Sequence, residues 1–224
     1  MVVYGPARII RSSLCMSAAP RLSAEGLAKR YGRRLLFRDV AFDLGPGDSL
    51  AVTGANGAGK STLLQIVAGV RAPTAGTVRL WLGDDEVDAE VRPRRTGFVA
   101  PYLQLYDAFT AVENLGFLAR ARRLPDAGAR TAAALDRVGL GGRGDDLLRT
   151  YSSGMKQRAR LAAALLAAPS LLLLDEPTSN LDAPGRAVVE EVARTHREAG
   201  GILLVATNVD HEAALCDQRI EVGE

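Results

Sequence analysis

This chain has little of what would tie it to an oxidising compartment, a metal cage, a polyanion or a membrane interior. Among its 224 residues are two cysteines, Cys15 and Cys216, and two histidines, His196 and His211. Neither cysteine has a metal-ligand neighbour, so no disulfide framework or zinc site is implied and a reducing compartment is expected. His196 reads as helix surface, and His211 as a surface residue on a turn. Charge of one sign is lacking too: 28 basic residues are scattered among 26 acids, for a net +2, which argues against a nucleic-acid partner. The longest apolar run, Leu161 to Leu174, is cut by Pro169 and Ser170 and falls short of the ~20 residues a membrane span needs. The stretch from Met1 to Pro20 carries Arg8 and Arg11 but no apolar block, which excludes a signal peptide. Residues 1–20 therefore read as a disordered extension, with Met16 as an alternative start. Repeats and low-complexity tracts are lacking as well.

What remains is 47% hydrophobic, enough for one α/β domain with a sizeable core. Its most informative segment is Gly54-Ala55-Asn56-Gly57-Ala58-Gly59-Lys60-Ser61-Thr62. A triphosphate needs several convergent donors, and backbone N–H groups converge only where the chain curls tightly around the anion. The three glycines permit that curl. Lys60 adds a point charge for the β- and γ-phosphates, and the Ser61 hydroxyl suits Mg²⁺. The context agrees: residues 48–53 read as a short buried strand, and Ser61 onward opens a helix whose positive end faces the phosphates.

A second motif supports the first. Leu171-Leu172-Leu173-Leu174-Asp175-Glu176 is an apolar run ending in two acids, the pattern of a central parallel strand that delivers side chains at its C-terminal edge. Asp175 is suited to the Mg²⁺ shell. Glu176 is suited to orient or deprotonate an attacking water.

Between them lies Tyr151-Ser152-Ser153-Gly154-Met155-Lys156-Gln157-Arg158, leading into an alanine-rich helix. Alone, this segment would be an ordinary helix N-cap. With the other motifs, the chain resembles the ATP-binding subunits of ABC transporters from about Leu22 onward. Their Leu-Ser-Gly-Gly-Gln signature matches Tyr151 to Met155, with Ser152 and Gly154 retained. Asp175 to Asp182 looks like their joined Walker B motif and D-loop.

The resemblance implies a P-loop NTPase of the ABC type: an α/β core with an antiparallel β subdomain and an α-helical subdomain inserted at about 97–165, all within residues 21–224. It implies ATP and Mg²⁺ as ligands, Tyr31 stacked on adenine, Asp182 in the D-loop, and Ser152, Ser153 and Gly154 acting on the nucleotide of a second ATPase subunit, identical or different. It also implies a separate multi-span permease docking near Pro101 to Phe109, and a cytoplasmic location on the inner face of the membrane. The short length is similar to exporter ATPases, including the haem-exporter type. A soluble ABC-type ATPase or a nucleotide sensor is the alternative.

Two positions depart from the family pattern. Pro101 stands where a glutamine is usual, with Gln104 further on. Asn208 stands where the switch histidine follows a threonine. Slow hydrolysis is the expectation from both.

The remaining pattern predicts antiparallel strands from Leu22 to Leu44 and helices over Val112–Leu124, Ala127–Leu140 and Ala183–Glu198. It also predicts strands over 201–206 and 218–222, and a solvated acidic loop after Trp81.

Overall fold

In a computed structural model the described residues are 18–223. The expected N-terminal extension lies, for residues 1–17 including Cys15, outside them. Pro20 already opens the first strand.

The strands are β1 (Pro20–Tyr31), β2 (Arg34–Leu44), β3 (Ser49–Thr53), β4 (Ala75–Leu82), β5 (Asp85–Val87), β6 (Thr96–Val99), β7 (Leu171–Asp175), β8 (Ile202–Ala206) and β9 (Gln218–Glu221). The helices are α1 (Lys60–Val67), α2 (Arg92–Arg95), α3 (Ala111–Ala121), α4 (Ala127–Arg137), α5 (Ser153–Leu165), α6 (Ala183–Glu198) and α7 (Asp210–Ala213). A four-stranded antiparallel sheet runs in the order β2-β1-β4-β5, and a five-stranded parallel sheet in the order β6-β7-β8-β3-β9.

Every residue of β3, β7 and β8 is buried. Continuous apolar runs of this kind suit a parallel sheet covered on both faces. Alternation divides their side chains between two cores. Leu172, Leu174, Leu203 and Val205 pack into one with Leu115, Leu135, Leu161 and Val189 from α3, α4, α5 and α6. Leu171, Leu173, Ile202 and Leu204 pack into the other with Leu63 and Ile66 of α1 and Leu22, Leu27, Phe37 and Leu44 of the antiparallel sheet. Each such leucine contributes roughly 1.5–3 kcal/mol by leaving water. The two cores together hold the C-terminal ends of β3, β7 and β8 side by side.

Local signals explain the helix starts. Thr110 and Glu113 form a reciprocal capping box on α3, and Ser152 caps α5 through the Met155 N–H. Asp182 caps α6 by accepting from the Gly185 N–H at 2.9 Å.

Three expectations need correction. The helical segment begins beyond Val99, because Thr96 to Val99 pairs residue for residue with Leu171 to Leu174 as β6. The acidic stretch after Trp81 is mostly strand: β5 pairs back on β4 through the turn at Gly83 and Asp84. His196 is buried, its Nε2 donating to the Ile202 carbonyl at 3.1 Å. The apolar stripe of α6 takes the imidazole beneath the start of β8, and burial pushes its pKa down to about 4.

Candidate functional site

The loop between β3 and α1 is a closed backbone cradle. Gly54 has φ 138°, and a Cβ there would meet the Val222 carbonyl oxygen at 2.1 Å, so only glycine fits. Gly59 has φ 107° at the N-cap of α1, with Leu36 and Phe37 close beneath it. Lys60 is buried, and its ammonium donates to the loop's own carbonyls, at 2.8 Å to Gly54 and 3.2 Å to Ala55. Burial pushes the Lys60 pKa down, opposed by the charges of Glu176 and Asp175.

Asp175 ends β7 and is almost wholly buried. Burial pushes its carboxyl pKa up, and the neighbouring Ser61 hydroxyl opposes the rise. Ser61 and Asp175 thus lie together, as both were expected to at a Mg²⁺ position. Among the described residues no cluster of three or more His, Cys, Asp or Glu could cage a metal by itself. One hydroxyl and one carboxylate beside an anion cradle suit Mg²⁺, which takes few protein ligands and shares phosphate oxygens.

Glu176 follows in the left-handed region, at φ 48°, its N–H bonded to the Ala206 carbonyl at 2.9 Å. A non-glycine residue held there stores strain of order 1 kcal/mol or more. Asn208, just past β8, reaches the cradle: its Nδ2 donates to Asn56 Oδ1. Lys60 and Asn208 are therefore bonded to one loop, which also carries Ser61 beside Asp175, and both Asp175 and Glu176 are close enough for their charges to act on Lys60.

Two groups of expected residues stand apart. Ser152, Ser153 and Gly154 open α5, where Gly154 packs near Leu181 and the Asn180 carbonyl. No hydrogen bond among the described residues joins them to the phosphate loop. Tyr31 closes β1 and is 44% exposed, with Lys29 and Arg71 5.1 and 5.6 Å from its ring centroid. A groove of about 390 Å³ beside the cradle is lined by Arg34, Asn56, Gly57 and Glu221. The larger cavity, about 610 Å³, opens near His196, Arg137 and Ser170 at the other edge of the parallel sheet and holds none of the expected site residues.

Several participants carried no local signal. Arg34 donates to the Gly57 carbonyl at 3.0 Å. Gln65 Nε2 donates to the Tyr102 hydroxyl at 2.6 Å, beside the Pro101 position where a glutamine was expected. His211 is exposed, as expected, but not idle: it bonds the Thr178 hydroxyl.

With this geometry in hand, the family is decided by comparison with known proteins. The ABC transporter family matches residues 37–179. The chain belongs to that family. It is 38% identical over 197 residues to the lipoprotein-releasing system ATP-binding protein LolD of Oleidesulfovibrio alaskensis, covering 84% of this chain and 85% of that one. It is 33% identical to the linearmycin resistance ATP-binding protein LnrL of Bacillus subtilis, over 88% of this chain and 64% of that protein. A solved ATP-binding subunit of an ABC transporter superposes with a TM-score of 0.77 at 28% identity, covering 90% of this chain and 85% of that one. The dimeric cassette MJ0796 in its post-hydrolysis state, bound to ADP and Pi, superposes at 0.77 with 23% identity over 90% and 94% of the two chains, and so speaks to fold alone. The chain is thus an ABC ATP-binding subunit with the P-loop ATPase fold. None of these relatives supports the haem-exporter expectation.

Proposed function

We propose that this chain hydrolyses Mg-ATP to power a membrane transporter, closing head-to-tail on a second ATPase subunit. The observation that carries the reading is the separation of Ser152, Ser153 and Gly154 from the phosphate loop within one chain. A helix start with free N–H groups attracts anions, and in a reciprocal pair each α5 would face the partner's γ-phosphate. The phosphate-loop amides, Lys60 and the α1 start bind the triphosphate. Ser61 and Asp175 hold Mg²⁺, which supplies charge neutralisation at the phosphates. Glu176 orients and deprotonates water, and Tyr31 offers an aromatic face to adenine.

At the switch position Asn208 offers a neutral amide where an imidazolium would add charge, and Pro101 removes the usual glutamine. Both support slow turnover in the isolated subunit. Tyr102, Leu103, Tyr106 and Phe109 are 39–64% exposed in one segment. Such a patch suits a permease helix docking against Pro101 to Phe109. No helix of the described residues is long and apolar enough to cross a membrane, which fits a peripheral subunit on the inner face. The relatives support lipoprotein release or drug resistance as the cargo class.

The test is Glu176→Gln. ATP binding is expected to persist while turnover falls by about 10²–10⁴-fold, the usual contribution of a general base. The variant should accumulate as a dimer on size exclusion with Mg-ATP. A strictly monomeric Glu176→Gln protein at high concentration, alone and with the permease, would overturn the shared site.

A further inference from the structure

Glu212 is the most completely engaged buried carboxylate in the described chain and has no part in the roles assigned so far. It sits on α7 with 1% of its surface exposed. Oε1 accepts from the Thr178 N–H at 2.7 Å and from the Thr178 hydroxyl, and Oε2 accepts from the Thr207 hydroxyl. Thr178 spends its hydroxyl proton on Glu212, so His211 Nε2, 3.1 Å away, must be the donor to Thr178 Oγ1. Thr207 in turn accepts from the Val209 N–H at 2.9 Å and is tied to β3 through the Val52 carbonyl at 3.0 Å.

The placement of the two threonines gives the cluster its meaning. Thr178 lies two residues beyond Glu176, and Thr207 is the residue before Asn208. A carboxylate is an acceptor only, so a single buried one can gather donors from two loops without a competing geometry. Glu176 is held at φ 48°, a strained conformation that persists only where its surroundings over-determine it. Its N–H is anchored on Ala206, and the chain two residues on is anchored on Glu212.

We propose that Glu212 is a positioning residue for hydrolysis: it clamps the loop carrying Glu176 to the loop carrying Asn208. Among the described residues its hydrogen bonds go to Thr178 and Thr207, and none goes to the phosphate loop. Its role rests on the reading of Glu176 and Asn208 as the hydrolytic side of the site. Loss of the clamp should therefore spoil the alignment of water and leave the binding of ATP alone. Misplacement of about 1 Å in a catalytic group can cost on the order of a hundred-fold in rate.

The experiment measures kcat, the KM for ATP and thermal unfolding for Glu212→Ala, Glu212→Gln, Thr178→Val and Thr207→Val, with Glu176→Gln as reference. Glu212→Ala should lose roughly ten- to a hundred-fold in kcat with KM within about two-fold of the parent. Each Thr→Val change, near-isosteric and lacking one hydroxyl, should give a smaller loss of the same kind and add little in the Glu212→Ala background. Glu212→Gln keeps one acceptor oxygen for Thr178 and offers an amide to Thr207, so it should recover most of the rate. A lowered unfolding midpoint with kcat per folded molecule unchanged would overturn the clamp and leave Glu212 a stability residue. Equal losses in Glu212→Gln and Glu212→Ala would also overturn it. A Glu176→Gln protein that hydrolyses at the parent rate would instead sink the hydrolytic reading itself, whatever the Glu212 variants do.

Discussion

The site has two walls built in different ways. The phosphate-loop wall, between β3 and α1, is made of main chain: glycines at positive φ and one buried lysine bonded to the loop's own carbonyls. The switch wall, between β7 and β8, is made of side chains from distant parts of the sequence: Thr178, Thr207, His211 and Glu212 around a strained Glu176. A main-chain cradle binds any triphosphate whose oxygens fit it, and the identities of most of its side chains matter little. A side-chain lattice fixes relative positions, and each member matters through the others. The first wall should therefore govern affinity and the second rate.

Lys60→Ala gives the largest expected effect and the sharpest form of that division. Charge-assisted hydrogen bonds contribute about 1.5–3 kcal/mol each, so losing two to the β- and γ-phosphates should weaken ATP binding by about two to four powers of ten. Calorimetric titration with Mg-ATP checks it. Binding within about ten-fold of the parent would break the claim that this wall carries affinity.

The same division explains how much could be read from the residues alone. Gly54 to Thr62, the apolar run into Asp175 and Glu176, and the Ser152 cap are contiguous, and their spacing states the local geometry. The parallel core was equally plain in Leu171 to Leu174 and in Ile202 to Ala206. Glu212 was not, because its partners Thr178 and Thr207 come from two other loops and only the folded sheet brings them together. His196 was misjudged for a related reason. A histidine amid Arg194, Arg197 and Glu198 looks solvated, yet helical periodicity turns it with Val189, Val192 and Ala193 toward the sheet.

His196 supplies a control, since it lies on α6 beneath the start of β8, away from both walls. The unfolded chain binds a proton on this imidazole near pH 6.5, whereas the folded chain does so only near pH 4. The neutral, buried form therefore supports the fold fully above about pH 6.5, and that support is lost as pH falls toward 4. At about 1.4 kcal/mol per pKa unit, the loss amounts to roughly 3 kcal/mol. Urea unfolding should show about 2 kcal/mol of that loss between pH 7 and pH 5, and His196→Gln should flatten this part of the slope while leaving ATP affinity at pH 7 unaltered. A parent stability flat between those pH values would mean that the imidazole is not held neutral. A changed ATP affinity in His196→Gln would mean that the two ends of β8 are coupled.

The smallest effect tests the switch wall where it meets the cradle. Asn208 donates to Asn56 from a neutral amide and cannot ionise. A histidine at this position could carry positive charge as negative charge gathers on the γ-phosphate oxygens. Charge-assisted bonds are about twice as strong as neutral ones, so the difference is on the order of 1 kcal/mol, or several-fold in rate. Asn208→His should therefore raise the turnover of the isolated subunit several-fold without tightening ATP binding, and Asn208→Ala should lower turnover further. The gain in Asn208→His should also require Glu212, because an imidazole on an unclamped loop has no fixed distance to the phosphate. Steady-state rates of the single variants and of the Asn208→His, Glu212→Ala double variant decide the matter. Equal rates for Asn, His and Ala at position 208 would mean that the bond to Asn56 is a structural tether, and the switch wall would then act through Glu176 alone.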